Sequence, residues 1–210
     1  MNDKETMIER DLKGRDIVNE RVLQAMEEIN REIFVPEGLR YRAYQDSPLP
    51  IGMKQTISQP YIVAYMAQIL DPQPHEKIME VGSGCGYNAA VLANLCSHVY
   101  SIEVIEWLAD FAKVNLKQAG VKNVTVKHGD GFHGWPIKAP FDKIILTAAT
   151  PIIPDKLKEQ LIIGGKLLAP VSNSFQKLIL LEKTGTNEFK EHDLIYVRFV
   201  PMTGETQKME

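Results

Sequence analysis

The chain has 210 residues, 44% of them hydrophobic, which is the size and apolar content of one compact domain. Its 24 Lys and Arg against 27 Asp and Glu give a formal charge of -3, so there is no basic excess to attract nucleic acid or an anionic membrane surface. Two cysteines, Cys85 and Cys96, are too few to indicate a disulfide framework and fit a reducing compartment.

The N-terminal residues are charged and lack an apolar signal core, and the sequence has no run of about 18 apolar residues. We therefore expect an unexported, soluble, cytoplasmic protein without nucleic-acid or membrane partners. We also expect it to be a monomer.

Apolar residues recur at helical spacing within the first 30 residues, which predicts one N-terminal covering helix with Ile17, Val18, Val22, Leu23, Met26 and Ile29 on its apolar stripe. From Phe34 to Ile57 the periodicity fails, and prolines and glycines punctuate a long connection of the kind that often carries function. Ser58 then precedes Pro60, which suits a first helical turn. The sequence therefore predicts Ser58 at a helix start.

Beyond Pro74, short apolar runs alternate with helical segments, which predicts an α/β fold with a mostly parallel, doubly wound sheet. Two final strands without a helix between them predict a C-terminal antiparallel pair. We expect a single domain, 1–210, made of a helical and substrate-loop region (1–75), a cofactor-binding core (76–171) and C-terminal strands (172–210). The predicted strands are 77–81, 99–102, 124–127, 141–147, 166–171, 177–182 and 194–200, and the predicted helices between them are 88–95, 105–119 and 155–161.

A glycine-rich loop connects the first of these strands to a helix, with glycines at positions 82, 84 and 86. Glycine tolerates special backbone angles and lets a ligand approach the main chain. A dinucleotide-binding loop would place its third glycine at Tyr87. The spacing instead suits the amino-acid end of S-adenosylmethionine, whose carboxylate can use the free N–H groups of the helix start. Gly82, Gly84, Cys85 and Gly86 are therefore candidate cofactor residues.

Two acidic residues extend this candidate site. Glu103 follows the next strand, where a carboxylate can accept hydrogen bonds from ribose hydroxyls. Asp130 closes the following strand and could accept from an adenine amino group, with Gly131 leaving space for the ring. The alternative interpretation is a set of turn glycines, a solvated Glu103 and a turn Asp130.

Several motifs resemble the protein-L-isoaspartate O-methyltransferases over roughly residues 35–204. The most specific is Gln55 to Pro60, QTISQP, which general methyltransferases do not share. Met53 and Lys54 stand where the family often has a small or polar pair, and Cys85 replaces a usual serine. The other motifs are DSPLPI (46–51), the glycine loop, GDG (129–131), TAA (147–149) and FVP (199–201).

The resemblance implies a Rossmann-like S-adenosylmethionine-dependent methyltransferase fold. It also implies methylation of the α-carboxylate of L-isoaspartyl residues and, less well, of the side-chain carboxylate of D-aspartyl residues in damaged proteins and peptides. S-adenosylhomocysteine would be the product, and repair would proceed through a succinimide. By the same resemblance Ser58 is the active-site serine, and Thr203 contacts the cofactor.

The implied chemistry fits the hydroxyls of the serine motif. A carboxylate acceptor with a pKa of about 4 is already ionised at pH 7, so no general base is needed. Thr56 and Ser58 offer hydroxyls that can bind the acceptor, and Ser58 would aim it rather than attack. Simple N-capping is the alternative role for Ser58. The loop before Ser58 is predicted to act as a lid.

Three other functions compete with this one. A methyltransferase of the same fold could act on a small molecule, a binding protein could keep the pocket without turnover, and a nicotinamide oxidoreductase could use a similar loop. The serine motif argues against the small-molecule methyltransferase. The intact set of site residues argues against the binding protein, and the glycine spacing argues against the oxidoreductase.

We assign no metal. We interpret Cys85 as a packed thiol rather than an activated thiolate. We interpret Arg198 as an exposed strand residue, with contact to the peptide acceptor as the alternative.

Overall fold

The computed structural model describes residues 3–172 and 175–206. Its main sheet has the order β5-β4-β3-β6-β7-β8-β9, parallel from β5 through β7 and antiparallel from β7 to β9. The predicted α/β fold and terminal antiparallel pair are confirmed. Of the predicted C-terminal region, residues 173–174 and 207–210 lie outside the described residues. The strands are β3 (Lys77–Val81), β4 (His98–Glu103), β5 (Val124–His128), β6 (Phe141–Leu146), β7 (Leu161–Ser172), β8 (Gln176–Lys183) and β9 (Phe189–Tyr196).

Both faces of the sheet are covered, as the doubly wound prediction requires. Successive side chains of a strand point to opposite faces, so Ile78 of β3 packs in one core cluster and Met79 in the other. On the first face lie α2 (Glu20–Glu28), α3 (Pro60–Leu70), α4 (Tyr87–Ala93) and α5 (Glu106–Gln118); α6 (Asp155–Glu159) and two short 3-10 turns (Gly131–His133, Pro136–Lys138) lie near the second.

The N-terminal prediction of one helix is wrong. Helix α1 (Asp3–Thr6) continues as a π-helix (Met7–Lys13), and α2 starts separately. It does so because the Asn19 side chain caps its first turn by accepting hydrogen bonds from two backbone N–H groups. Val18, predicted on the apolar stripe, lies before this cap and is 76% exposed.

The connection before Ser58 contains structure that the sequence did not reveal. Two 3-10 turns (Arg31–Phe34 and Glu37–Arg42) precede a hairpin of β1 (Leu49–Gly52) and β2 (Gln55–Ile57). Ile51 and Ile57 are buried, so the hairpin is anchored in the core. The predicted lid is therefore, in this structure, a packed hairpin.

The two residues of the hairpin turn, Met53 and Lys54, have φ angles of 50° and 59°. A two-residue turn with both central residues in the left-handed region prefers Asn and Gly, because a side chain is strained there. We expect Lys54→Gly to raise the free energy of unfolding by about 1 kcal/mol, measured by urea denaturation. Lys122→Gly, in a loop at a position without positive φ, should instead lower stability slightly. Equal effects of the two changes would contradict the strain argument.

Ser58 is not the helix N-cap, which corrects the predicted helix start. Helix α3 begins at Pro60, and Gln59 is its N-cap. The capping bond comes from 15 residues away, because Asp46 Oδ1 accepts from the N–H of Tyr61 at 2.9 Å. Among the described residues, the Ser58 hydroxyl has no hydrogen-bond partner, so it is available to a ligand.

The last strand was also predicted at the wrong place. It covers Phe189–Tyr196 rather than 194–200, and 183–193 is not simply a connection. As an exposed edge strand it tolerates polar residues, and these polar residues give the segment the sequence pattern of a connection. Residues 197–200 leave the sheet because the Gln176 side chain accepts from the N–H of Phe199 and donates to its carbonyl.

Sheet order determines where a ligand can bind. The chain runs outward from β3 to β5 and then returns to β6 beside β3. Where connections diverge in this way, a crevice opens at the carboxyl ends of the two central strands. Gly82 and Thr147 follow those ends, so the glycine loop lies at this crevice. Within the described residues, no helix has the length and apolarity needed to cross a membrane.

Candidate active site

A pocket opens at the crevice between β3 and β6, where ligands bind in doubly wound α/β folds. Eight of the ten predicted site residues line it, and the other two, Gly86 and Asp130, do not. The eight are Thr56, Ser58, Gly82, Gly84, Cys85, Glu103, Gly131 and Thr203.

The glycine loop adopts the backbone that its sequence predicts. Gly82, Gly84 and Gly86 have φ angles of 99°, 52° and 90°, which L side chains rarely adopt. A Cβ on Gly82 would stand 2.4 Å from Thr147 Oγ1. A Cβ on Gly86 would instead approach α5, so this glycine serves helix packing behind the pocket.

Glu103 ends β4 as a buried carboxylate, which excludes the solvated alternative. Its Oε2 accepts from the N–H of Gly84 at 2.8 Å and its Oε1 from the N–H of Ile105 at 3.0 Å. These bonds hold the carboxylate against the loop. Each oxygen keeps a second lone pair, so Glu103 can still accept from ribose hydroxyls.

Asp130 acts from behind the pocket wall. Its Oδ1 accepts from the N–H of Phe132 at 2.9 Å and its Oδ2 from the N–H of Glu205 at 2.8 Å. The carboxylate thus holds the C-terminal segment that brings Thr203 to the pocket. The predicted contact of Asp130 with adenine stays a prediction, whereas Gly131 does line the pocket.

Cys85 is a buried thiol in the pocket wall. Burial raises its pKa to about 11 because the thiolate would lose hydration. At neutral pH it is protonated, which favours the packed thiol over the activated thiolate.

A second groove adjoins the pocket. Among the described residues that line it, Arg198 is the one Lys, Arg, Asp or Glu. Thr56, Ser58, Thr147 and Val200 line both cavities. A molecule in the groove therefore meets a molecule in the pocket at these residues.

Sequence reasoning missed Glu80, which is 0% exposed beneath the glycine loop. Its Oε1 accepts from Asn88 Nδ2 at 2.8 Å, and its Oε2 accepts from the Ser101 hydroxyl. Ser101 Oγ in turn lies 2.5 Å from Ser83 Oγ in the loop. In the sequence, Glu80 is indicated by its position as a carboxylate among the apolar residues of the strand KIMEV.

Glu80 should make stability depend on pH. Burial raises its pKa from 4.5 to about 7, so between these values the folded protein keeps a proton that the unfolded chain releases. The contribution of Glu80 to stability therefore falls as pH rises through this window and changes little further above it. Glu80→Gln cannot titrate; its oxygen can still accept from Asn88, and its NH2 group would donate to the Ser101 hydroxyl instead of accepting from it. In urea unfolding, the wild type should lose on the order of 3 kcal/mol of stability between pH 5 and pH 8, and Glu80→Gln should not show this loss.

The exposed Glu159→Gln is the control for Glu80→Gln, because it removes a carboxylate that is already solvated. It should leave the pH dependence of the wild type intact. A Glu80→Gln profile parallel to the wild-type profile would contradict the buried-carboxylate explanation.

The glycine loop, the buried Glu103 and the adjoining groove fit a nucleoside cofactor beside an acceptor. Together with the sheet order they define the class of protein, a methyltransferase that binds S-adenosylmethionine in a doubly wound α/β fold. A family model described as protein-L-isoaspartate(D-aspartate) O-methyltransferase matches residues 2–207. The chain belongs to this family. In the described part of the chain, no cluster of three or more His, Cys, Asp or Glu could hold a metal.

Known proteins agree with this assignment. The chain is 49% identical to a protein-L-isoaspartate O-methyltransferase of Opitutus terrae, covering 97% of this chain and 88% of that one. It is 45% identical to one from Methanothermobacter thermautotrophicus, covering 98% and 97%. A solved structure of a protein-L-isoaspartate O-methyltransferase superposes with a TM-score of 0.87 at 27% identity, covering 97% and 67%. A Plasmodium falciparum structure in complex with S-adenosyl-L-homocysteine shares the fold, with a TM-score of 0.85 at 24% identity and coverage of 97% and 99%.

Proposed function

We propose that this chain transfers the methyl group of S-adenosylmethionine to the α-carboxylate of L-isoaspartyl residues in damaged proteins and peptides. The side-chain carboxylate of D-aspartyl residues is the second acceptor. The methyl ester then loses methanol when a backbone nitrogen attacks it, and the resulting succinimide opens to aspartate or isoaspartate.

One observation carries this proposal: Ser58 and Thr56 line both the cofactor pocket and the adjoining groove. An acceptor in the groove would present its carboxylate to the pocket at the Ser58 hydroxyl.

The pocket residues divide the cofactor between them. The loop containing Gly82 and Gly84 binds the amino-acid end of the cofactor, and Glu103 binds the ribose hydroxyls. Gly131 leaves space for the adenine ring, and Thr203 lies beside that ring. When bound, S-adenosylmethionine supplies a methyl group on a positively charged sulfur. The chain itself holds the cofactor and the acceptor, orients them toward each other and excludes water from between them.

Ser58 donates a hydrogen bond to the acceptor carboxylate and orients it. Among the described residues that line the pocket and the groove, Glu103 is the one carboxylate, and its oxygens already bind backbone N–H groups. An acceptor that is ionised at neutral pH needs no proton removed. The lining residues therefore match a carboxylate acceptor better than an alcohol or amine.

The experiment measures transfer of labelled methyl from S-adenosylmethionine to a peptide containing L-isoaspartate and to the same peptide containing L-aspartate. Base-labile label on the isoaspartyl peptide alone is the expected result, because carboxyl methyl esters hydrolyse readily in base. If neither peptide is labelled while S-adenosylmethionine still binds, the repair function is contradicted, and a small-molecule acceptor or a binding role takes its place.

The remaining expectations belong to the same proposal. We place the chain in the cytoplasm as a monomer, in keeping with its two free, buried thiols. We also treat 1–210 as one domain in three consecutive regions. This is supported by Leu12 and Val22 of the first region, which pack in one core cluster with Val99 of the second and Leu178 of the third.

A further inference from the structure

Arg31 is a buried cation without a carboxylate partner among the described residues. It is 0% exposed, and burial lowers the pKa of its guanidinium. Burying a charge is unfavourable unless hydrogen bonds satisfy it fully. The hydrogen-bond partners of the guanidinium therefore indicate the role of this charge.

The guanidinium binds three backbone carbonyls of the segment that leads to Ser58. Nε donates to the carbonyl of Ala43 at 2.7 Å, Nη2 to that of Ser47 at 3.2 Å, and Nη1 to that of Ser58 at 3.1 Å. A planar guanidinium offers donors in fixed directions, so it holds these three carbonyls in one arrangement. The β1–β2 hairpin lies between the second and third of them.

The same side chain contacts the cofactor side of the pocket. Arg31 Cζ lies 5.2 Å from the ring centroid of Tyr87, within cation–π range. Tyr87 is fully buried and begins α4 directly after Gly86. Arg31 thus connects the Ser58 segment to the helix that follows the glycine loop.

We propose that Arg31 is a positioning residue for methyl transfer, which fixes the Ser58 hydroxyl between the cofactor pocket and the acceptor groove by holding the Ser58 carbonyl. This role rests on the proposed function. Arg31 does not line either cavity, so it acts through Ser58 and not on the acceptor itself.

A double-mutant cycle tests whether Arg31 acts through Ser58. Lysine keeps the charge but lacks the planar fork, so Arg31→Lys should lower kcat/KM for the isoaspartyl peptide at least ten-fold. The dissociation constant for S-adenosylhomocysteine, measured by calorimetry, should change less than two-fold. In the Ser58→Ala background, adding Arg31→Lys should cost less than two-fold, because the hydroxyl it positions is already gone.

Arg21 provides the matched control. It also binds a backbone carbonyl, that of Leu95 at 2.9 Å, but it lies on α2 away from both cavities. Arg21→Lys should leave kcat/KM unchanged. All kinetics are measured well below the melting temperature of each variant, so that loss of stability does not enter.

Equal losses from Arg31→Lys in both backgrounds would overturn the positioning role, as would a parallel loss of S-adenosylhomocysteine affinity. If Arg31→Lys does not fold, Arg31→Gln, whose planar amide can still donate to a carbonyl, repeats the cycle with the same two criteria. A wild type that labels no isoaspartyl peptide contradicts the proposed function and this role with it. An active wild type with additive variants contradicts the role alone.

Discussion

Gly82→Ala is expected to lose S-adenosylhomocysteine affinity by about 100-fold or more. Its φ of 99° is strained for any side chain, and its Cβ would stand 2.4 Å from Thr147 Oγ1. Thr147 Oγ1 donates to the carbonyls of Val81 and Gly82, so the clash separates the ends of β3 and β6 where the pocket opens. A shift of 2–3 kcal/mol in binding is about 100-fold, and calorimetry measures it.

Gly164→Ala separates the clash from the backbone strain. Gly164 lies in β7 with a φ of 84°, and a Cβ there would meet no heavy atom within 4 Å. This control should lose about 1–2 kcal/mol of stability from the backbone alone and keep wild-type affinity. Wild-type affinity of Gly82→Ala would show that the loop can relax and that its glycine is dispensable.

The central strands could be predicted from sequence because they are buried on both faces. The sequence predicts β3 at its observed bounds and β6 within one residue, since such strands appear as short, largely apolar runs between turns. Turn glycines and strand-end carboxylates follow directly from these bounds. This is why the sequence alone assigns Gly82, Glu103 and Gly131 to one site.

The elements that were missed depend on distant partners. The β1–β2 hairpin turns at Met53 and Lys54, which carry no turn signal. The true cap of α3 comes from Asp46, and no local pattern connects that residue with Tyr61. Similarly, the edge strand β9 is largely polar on its exposed side, so its pairing with β8 is the main evidence that it exists.

The supporting residues of the site were missed for the same reason. Arg31 binds carbonyls 12, 16 and 27 residues away, and Glu80 accepts from a serine 21 residues away. Arginine and glutamate are common residue types, and only the fold brings these two side chains to their distant partners. Sequence can therefore indicate residues that meet a ligand more readily than residues that hold those in place.

Ser58→Ala is expected to lower kcat/KM for the isoaspartyl peptide by about 100-fold while S-adenosylhomocysteine affinity stays within two-fold. The acceptor carboxylate loses negative charge as the methyl bond forms, so the hydroxyl contributes mainly by orienting the attacking oxygen. Misplacement by about 1 Å can cost this much in rate. Steady-state kinetics with both peptide and cofactor varied, together with calorimetry, give the two values.

Ser97→Ala is the matched control for this effect. Its hydroxyl donates to the carbonyl of Glu76 at 2.6 Å, at the amino ends of β3 and β4, opposite the pocket. Removing it deletes one hydrogen bond, so a small loss of stability with unchanged kinetics is expected. If Ser58→Ala behaves in the same way, the acceptor is aimed by other groups that line both cavities, and Thr56 is then the hydroxyl to replace.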